Sequence, residues 1–278
     1  MDNDLLTILF ISLIAGMGTG LGGLIAVISK PSRKLFGFLM GITSGVMISL
    51  AFLELVNEAW QMAGYRSATI GFGLGAFFML AVDYFAPHIR FGEREVRDGD
   101  CDDEVGLAGP HHRHHRHMGL RIRRDRTLDA GLIKSGLLIA VGIAIHNLPE
   151  GFAVGAGFMR STQFGLFIAV AILLHNIPEG IATALPLCQG GVRRRDALGT
   201  SILSGLVEPL GALMAAGFLN VFRDLLPGAL AFAGGVMVFI TLDELIPAAR
   251  EHGHHHLTAV GIILGALFVF ILSGLFGV

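Results

Sequence analysis

Charge is scarce in this chain: Asp, Glu, Lys and Arg make up 15% of its 278 residues, against about 25% in an ordinary soluble domain. That shortage excludes a water-soluble globular class. With 53% hydrophobic residues and a mean hydropathy of +0.68, the chain takes lipid as its solvent. Cysteine is nearly absent too. Cys101 and Cys188 are the only two, too few for a disulfide framework, and both are expected as thiols facing a reducing cytosol. No GxxxxGK[ST] phosphate loop is present, nor a soluble domain to house one, which argues against ATP-driven chemistry. The HExxH spacing of zincin-like proteases is missing as well.

What the chain has instead is apolar runs of about 20 residues, the length that crosses a hydrocarbon core. Eight fall at roughly 4–28, 35–57, 67–87, 130–158, 163–187, 196–220, 226–248 and 257–277. The opening MDNDLLT is acidic and has no basic n-region, so the first run is expected to stay as a span and not to be cleaved as a signal peptide. With the N-terminus outside, 17 of the 20 Lys and Arg lie in inside loops or at their edges, leaving Arg66, Arg160 and Arg223 outside. The positive-inside bias therefore predicts both termini outside the cytosol.

The one long connection, residues 88–129, is polar and arginine-rich and reads as a cytosolic linker within a single transmembrane domain spanning 1–278. It holds His111, His112, His114, His115 and His117; a second cluster, His252, His254, His255 and His256, falls on the same side. Two readings of these histidines stand: capture or buffering of a metal ion by neutral imidazole, or a solvated basic surface whose arginines repel a cation.

There is an internal repeat. A shift of 190 residues lays GVMISLAFLELVNEA (45–59) on GVMVFITLDELIPAA (235–249) and IGFGLGAFF (70–78) on VGIILGALF (260–268). Eleven of the 34 positions in 45–78 are identical, among them Gly45, Gly71, Gly75 and Glu54, the last matched by Glu244. Spans two and three thus match spans seven and eight. A displacement of five spans is odd, so the copies face opposite ways across the bilayer, as in secondary transporters whose site lies near the midplane. The expected fold is an all-α polytopic membrane protein of eight transmembrane helices in a 3+2+3 arrangement, with spans 1–3 and 6–8 as an inverted repeat around spans 4 and 5.

Those two central spans carry HNLPEG (146–151) and HNIPEG (175–180). On a helix, positions four apart share a face, so His146 stacks with Glu150 and His175 with Glu179; Asn147 and Asn176 lie alongside. Pro149 and Pro178 lack an N–H and are expected to kink each helix and free carbonyl oxygens. A lone carboxylate at this depth is unstable as an anion, whereas a divalent cation between two of them stabilises the charge. Glu208, in LVEPLGA, adds a third buried carboxylate. This nitrogen and oxygen set suits zinc, iron(II), manganese and cobalt. The competing reading, that buried polar residues only bridge helices, leaves three buried carboxylates repelling one another.

The two HNxPEG motifs, the span-six glutamate and TLDELIPAARE in span seven resemble the ZIP (Zrt/Irt-like protein) metal transporters, most closely the bacterial ZupT-type branch, along all eight spans. The resemblance implies a non-enzymatic importer of zinc and other divalent transition metals, cadmium among them, in the bacterial cytoplasmic membrane. It implies that His146, Glu150, His175 and Glu179 bind one ion, and that Asn147, Asn176 and Glu208 form an adjoining position sharing the glutamates. The metal is then cargo, up to two ions at the centre, and no cofactor is expected. Its partners are the ion, the lipid and, as in several family members, a second copy of the chain; no nucleic acid is expected. The family varies at the position of Asp243, whose ligand role stays open. Glu54 and Glu244 read either as symmetry-related outer and inner stations of the path or as caps at helix ends. An intramembrane metallohydrolase and a non-transporting metal sensor are the alternative functions.

Overall fold

Water is absent from a bilayer core, so each spanning segment has to satisfy its own backbone, which an α-helix does within itself. The computed structural model describes residues 2–29, 31–85, 129–252 and 255–278, and the regular structure among them is entirely helical. In order the helices are α1 (Asp2–Ser29), α2 (Arg33–Ser49), α3 (Asn57–Phe85), α4 (Ala130–Arg160), α5 (Thr162–Gln189), α6 (Arg194–Gly205), α7 (Glu208–Val221), α8 (Leu226–Ile240), α9 (Ile246–His252) and α10 (His255–Phe276). Two π-helical turns, Leu50–Val56 and Thr241–Leu245, join α2 to α3 and α8 to α9. Large apolar side chains such as Phe77, Met214 and Leu275 point outward, as they do on a surface facing lipid. The arginine-rich segment with His111, His112, His114, His115, His117 and Cys101 lies outside the described residues, as does His254.

Seven helical stretches among the described residues are long and apolar enough to cross a membrane. The count differs from the expected eight because α2 and α3 form one stretch of 51 residues, Lys34–Tyr84. Its backbone is broken at Gly64, where φ is 77° and ψ is 172°, a region open only to glycine. The break reverses the chain. Phe52 and Phe72 would lie about 30 Å apart on a straight helix at 1.5 Å per residue, yet their ring centroids are 5.6 Å apart.

The expected sixth span is also interrupted. The helix ends at Gly205, Leu206 and Val207 form a turn, and α7 restarts at Glu208. Pro209 explains the restart, since it has no N–H to continue the ladder back to Gly205 and is suited to a first helical turn. In contrast, α4 and α5 run as continuous helices through Pro149 and Pro178.

The helices sort into two groups by what they pack on. α1, α4, α5, α6 and α7 pack on one another; α2, α3, α8 and α10 do the same, and the groups meet where α4 faces α8 and α2 faces α5. Glycine sets the approach. A Cβ added at Gly180 would lie 1.8 Å from the Thr19 carbonyl oxygen, and one at Gly151 would lie 1.9 Å from that of Glu208. In the second group the contacts are reciprocal under the 190-residue shift. A Cβ added at Gly45 would lie 2.0 Å from the Ile262 carbonyl oxygen, and one at its counterpart Gly235 would lie 2.1 Å from that of Phe72, the counterpart of Ile262. A Cβ at Gly75 or Gly265 would likewise lie 2.0 or 2.1 Å from the carbonyl oxygen of Phe232 or Ile42, in the same exchange.

Polar ties add to this packing. Ser201 Oγ donates to the Thr19 carbonyl at 2.7 Å and approaches that of Gly180 at 3.3 Å, joining α6 to α1 and α5. Asp129 caps α4 by accepting from the Gly131 and Leu132 amides at 2.9 and 3.1 Å.

These approaches lead to a test. Gly151→Ala and Gly180→Ala each force backbone apart, so each is expected to destabilise the protein by about 1–3 kcal/mol in thermal unfolding in detergent. Gly217 serves as control, because a methyl group added there would meet nothing within 4 Å: Gly217→Ala should stay within about 0.5 kcal/mol of the parent.

Candidate metal centre

The two HNxPEG segments lie where α4 and α5 cross, with the first turn of α7 against them. His146, Asn147, Glu150, His175, Asn176, Glu179 and Glu208 are all buried, none more than 3% exposed. The i, i+4 spacing puts Glu150 and Glu179 on the inner faces of their helices. Glu150 Oε2 and His175 Nε2 are 3.1 Å apart, yet neither atom is engaged in a hydrogen bond. One ligand atom from each of Glu150, His175 and Glu179 lies within 4.8 Å of the other two.

Both asparagine amides are oriented by their nitrogen. Asn147 Nδ2 donates to the Ser204 carbonyl at 2.9 Å. Asn176 Nδ2 donates to Glu208 Oε2 at 2.8 Å and to the Ala15 carbonyl at 3.1 Å. With the nitrogens committed, the amide oxygens remain. Asn147 Oδ1, Asn176 Oδ1, both oxygens of Glu150, Glu179 Oε2 and Glu208 Oε1 are buried without a hydrogen-bond partner. Such groups are expensive to leave unpaired. Oxygens of an amide or an ionised carboxylate only accept, so a bound cation is the partner whose chemistry satisfies them together.

Glu208 owes its position to the interruption before α7. As the first residue of that helix it sits at the end where unpaired backbone N–H groups and the helix dipole favour negative charge. The Thr43 hydroxyl donates to the His175 carbonyl at 3.4 Å, and that of Thr183 to the Glu179 carbonyl at 3.1 Å. The first contact ties α2 to α5 beside the cluster, and the second lies within α5.

His146 is the member that stands apart. Its Nε2 lies 3.2 Å from Glu244 Oε1, on the π-helical turn after α8. It also lines a small cavity with Met79, Val82, Asp83 and Glu244. Asp83, Asp243 and Glu244 form a second group whose ligand atoms lie within 4.8 Å of one another; Glu244 is buried, Asp83 partly and Asp243 exposed. Sequence reasoning misses Asp83, although a lone acid closing an apolar run is an available signal. The shift of 190 residues from Ser273 lands on it.

Glu54 lies outside both groups. It is buried on the other π-helical turn, with Ser273 within hydrogen-bonding reach and Glu58 nearby. Single π-helical turns inside α-helices concentrate at functional positions, and here both contain the repeated glutamate. His255 and His256 are exposed at the start of α10; the side chain of His252 lies outside the described residues.

Comparison with known proteins adds to this geometry. The family model for the ZIP zinc transporters matches residues 4–273. The zinc transporter ZupT of Akkermansia muciniphila is 38% identical over 288 residues, covering 97% of each chain. Zinc transporter ZTP29 of Arabidopsis thaliana is 35% identical over 95% of this chain and 92% of its own. The ZupT of Oceanobacillus iheyensis is 39% identical over 95% of this chain and 96% of its own.

Glu150→Gln and Glu179→Gln each leave the fold's hydrogen bonds in place but remove a charge from the cluster. Each is expected to weaken zinc binding by about tenfold or more, roughly 1.4 kcal/mol, in calorimetric titration of the detergent-solubilised protein. Thr200→Ala, on a half-buried turn of α6 away from the cluster, should leave it unchanged.

Proposed function

The chain belongs to the ZIP zinc transporter family, and from that premise we propose that it carries zinc, and with it iron(II), manganese, cobalt and cadmium, across the bacterial cytoplasmic membrane into the cytosol. The observation that carries the reading is the set of buried, unpartnered oxygens on Asn147, Glu150, Asn176, Glu179 and Glu208. A structural polar network has donors to match its acceptors. Here six acceptor oxygens of five side chains are left without one.

The proposed transport site places one ion on His146, Glu150, His175 and Glu179 and a second on Asn147, Asn176 and Glu208, with the two glutamates shared. Oxygen and imidazole ligands without thiolate bind zinc moderately and let it leave, as permeation requires. The 3.2 Å approach of His146 to Glu244 suits a hand-over: His146 is a ligand that turns between the central cluster and the acids at the cavity. Glu54 and Glu244 are the proposed outer and inner stations, and Asp83 and Asp243 extend the inner one.

Eight passes in a 3+2+3 arrangement are supported by the chain reversal at Gly64 and by the reciprocal glycine contacts, since an inverted repeat demands that each contact recur with its partners exchanged. With the arginine-rich segment in the cytosol, both termini lie outside and Glu54 faces out. The histidines of that segment, and those around the start of α10, are then placed to receive metal on the cytosolic side. The metallohydrolase alternative needs a general base beside a metal-bound water and finds no support in relatives that are named transporters.

Sealed proteoliposomes enclosing a zinc-reporting dye test the reading. Zinc added outside is expected to accumulate and the other four ions to compete, while Glu150→Ala, Glu179→Ala and Glu208→Ala abolish uptake. Glu54→Gln and Glu244→Gln should each slow uptake several-fold yet keep equilibrium zinc binding. Unchanged uptake in both would sink the two stations, and peptide cleavage without accumulation would overturn transport itself.

A further inference from the structure

One contact between the two helix groups lies at the end of the molecule remote from the cavity. Arg160, the last residue of α4, donates through Nε to Glu58 Oε1 on α3. Arg160 belongs to the group that contains α5 and α7, and Glu58 to the group that contains α2 and α8.

Its location on the chain is telling. Only Ser161 separates α4 from α5, and its hydroxyl caps α5 by accepting from the Phe164 amide at 3.2 Å. Arg160 is therefore fixed to the hairpin tip of the two helices that carry the HNxPEG motifs. Any displacement of that hairpin against α3 has to part Arg160 from Glu58. On its other side, Glu58 is one turn beyond Glu54, close enough for the two carboxylates to act on each other electrostatically.

The repeat makes the pair one-sided. The shift of 190 residues takes Glu58 to Ala248, and the 29-residue spacing of the two motifs takes Arg160 to Gln189. Neither can form an ion pair. The opposite end has the cavity beside Met79, Asp83, His146 and Glu244 instead. The Arg160–Glu58 pair is thus found at one end only, and the other end has a small cavity beside the contact of His146 with Glu244.

We propose that Arg160 and Glu58 form an outer latch of an alternating-access cycle, closed in this structure, and that its release exposes Glu58 beside Glu54 to attract an arriving divalent cation. The inference rests on the transport reading above and on its orientation. The strength of the pair fits the task. Side-chain exposures of 45% for Arg160 and 21% for Glu58 leave it partly solvated, and such pairs bias an equilibrium by roughly two- to fivefold. A stronger bond would trap the closed state. Arg160 is further held by its place at the C-terminus of α4, where the helix dipole favours a cation.

The test has two arms, each in a background with Cys101→Ser and Cys188→Ser. In the first, Ser273→Cys beside Glu54 is labelled from outside sealed proteoliposomes with a membrane-impermeant maleimide. Glu58→Gln and Arg160→Gln are each expected to raise the labelling rate about two- to fivefold, and the exchanged pair Glu58→Arg with Arg160→Glu to bring it back towards the parent. Equal rates in all four would overturn the latch. In the second arm, Glu58→Cys with Arg160→Cys is joined by a short, reducible bifunctional thiol reagent. Zinc uptake should fall at least tenfold and return on reduction; uptake that persists when joined would overturn the proposal. If the parent moves no zinc, transport fails as a reading, while the labelling arm still decides whether the pair holds the outer side closed.

Discussion

A carboxylate inside a membrane protein has to be given a partner, and this chain buries several around one point. Glu150, Glu179 and Glu208 sit at the crossing of α4, α5 and α7 with amide oxygens turned towards the same space and few donors to answer them. In a medium of low dielectric, unanswered acceptors destabilise the protein, and like charges destabilise it further. The surrounding structure is arranged for a ligand that the chain does not itself supply. Asn147 and Asn176 give their N–H groups to carbonyls and to Glu208, so that each amide offers its oxygen. A divalent cation converts the whole set from a liability into a site.

Backbone irregularity appears where that site and its approaches need it. The helix through the expected sixth span stops and restarts so that Glu208 opens α7, which places a helix N-terminus at a buried carboxyl group. Glu54 and Glu244 each ride on a π-helical turn. Continuous helix through Pro149 and Pro178 keeps the histidine and glutamate of each motif on one face of α4 and of α5. Glycine lets those helices come within backbone contact, at Gly180 against Thr19 and Gly151 against Glu208. The close approach is what crowds the carboxylates.

The contacts also distinguish two kinds of joint. Within each helix group, carbonyls lie against glycines over several turns, an interface that resists separation. Between the groups the charged contacts among the described residues are few: His146 with Glu244 beside the small cavity, and Arg160 with Glu58 between α4 and α3. The close glycine packing thus lies inside each group and the charged contacts lie between the groups. The ZIP family is built to carry an ion between two sides, and such a division suits it.

Much of this was legible without coordinates, because lipid simplifies the reading. Long apolar runs become helices, arginines choose a side, and HNxPEG sets a histidine and a glutamate on one face by spacing alone. The glycines and glutamate of the 190-residue repeat likewise announced a relation between distant segments. Other features depended on packing. Asp83 carries no motif, and only the fold brings it to Asp243 and Glu244. His146 shares its sextet with Glu150 but leans towards another helix, a choice of rotamer and neighbour that spacing does not encode. The pair of Arg160 and Glu58 joins residues 102 positions apart, and the orphaned oxygens could be counted only once every donor had been assigned. Local sequence determined which groups each helix would carry and on which face; the tertiary structure decided which of them meet, because that depends on how closely glycine allows the helices to approach.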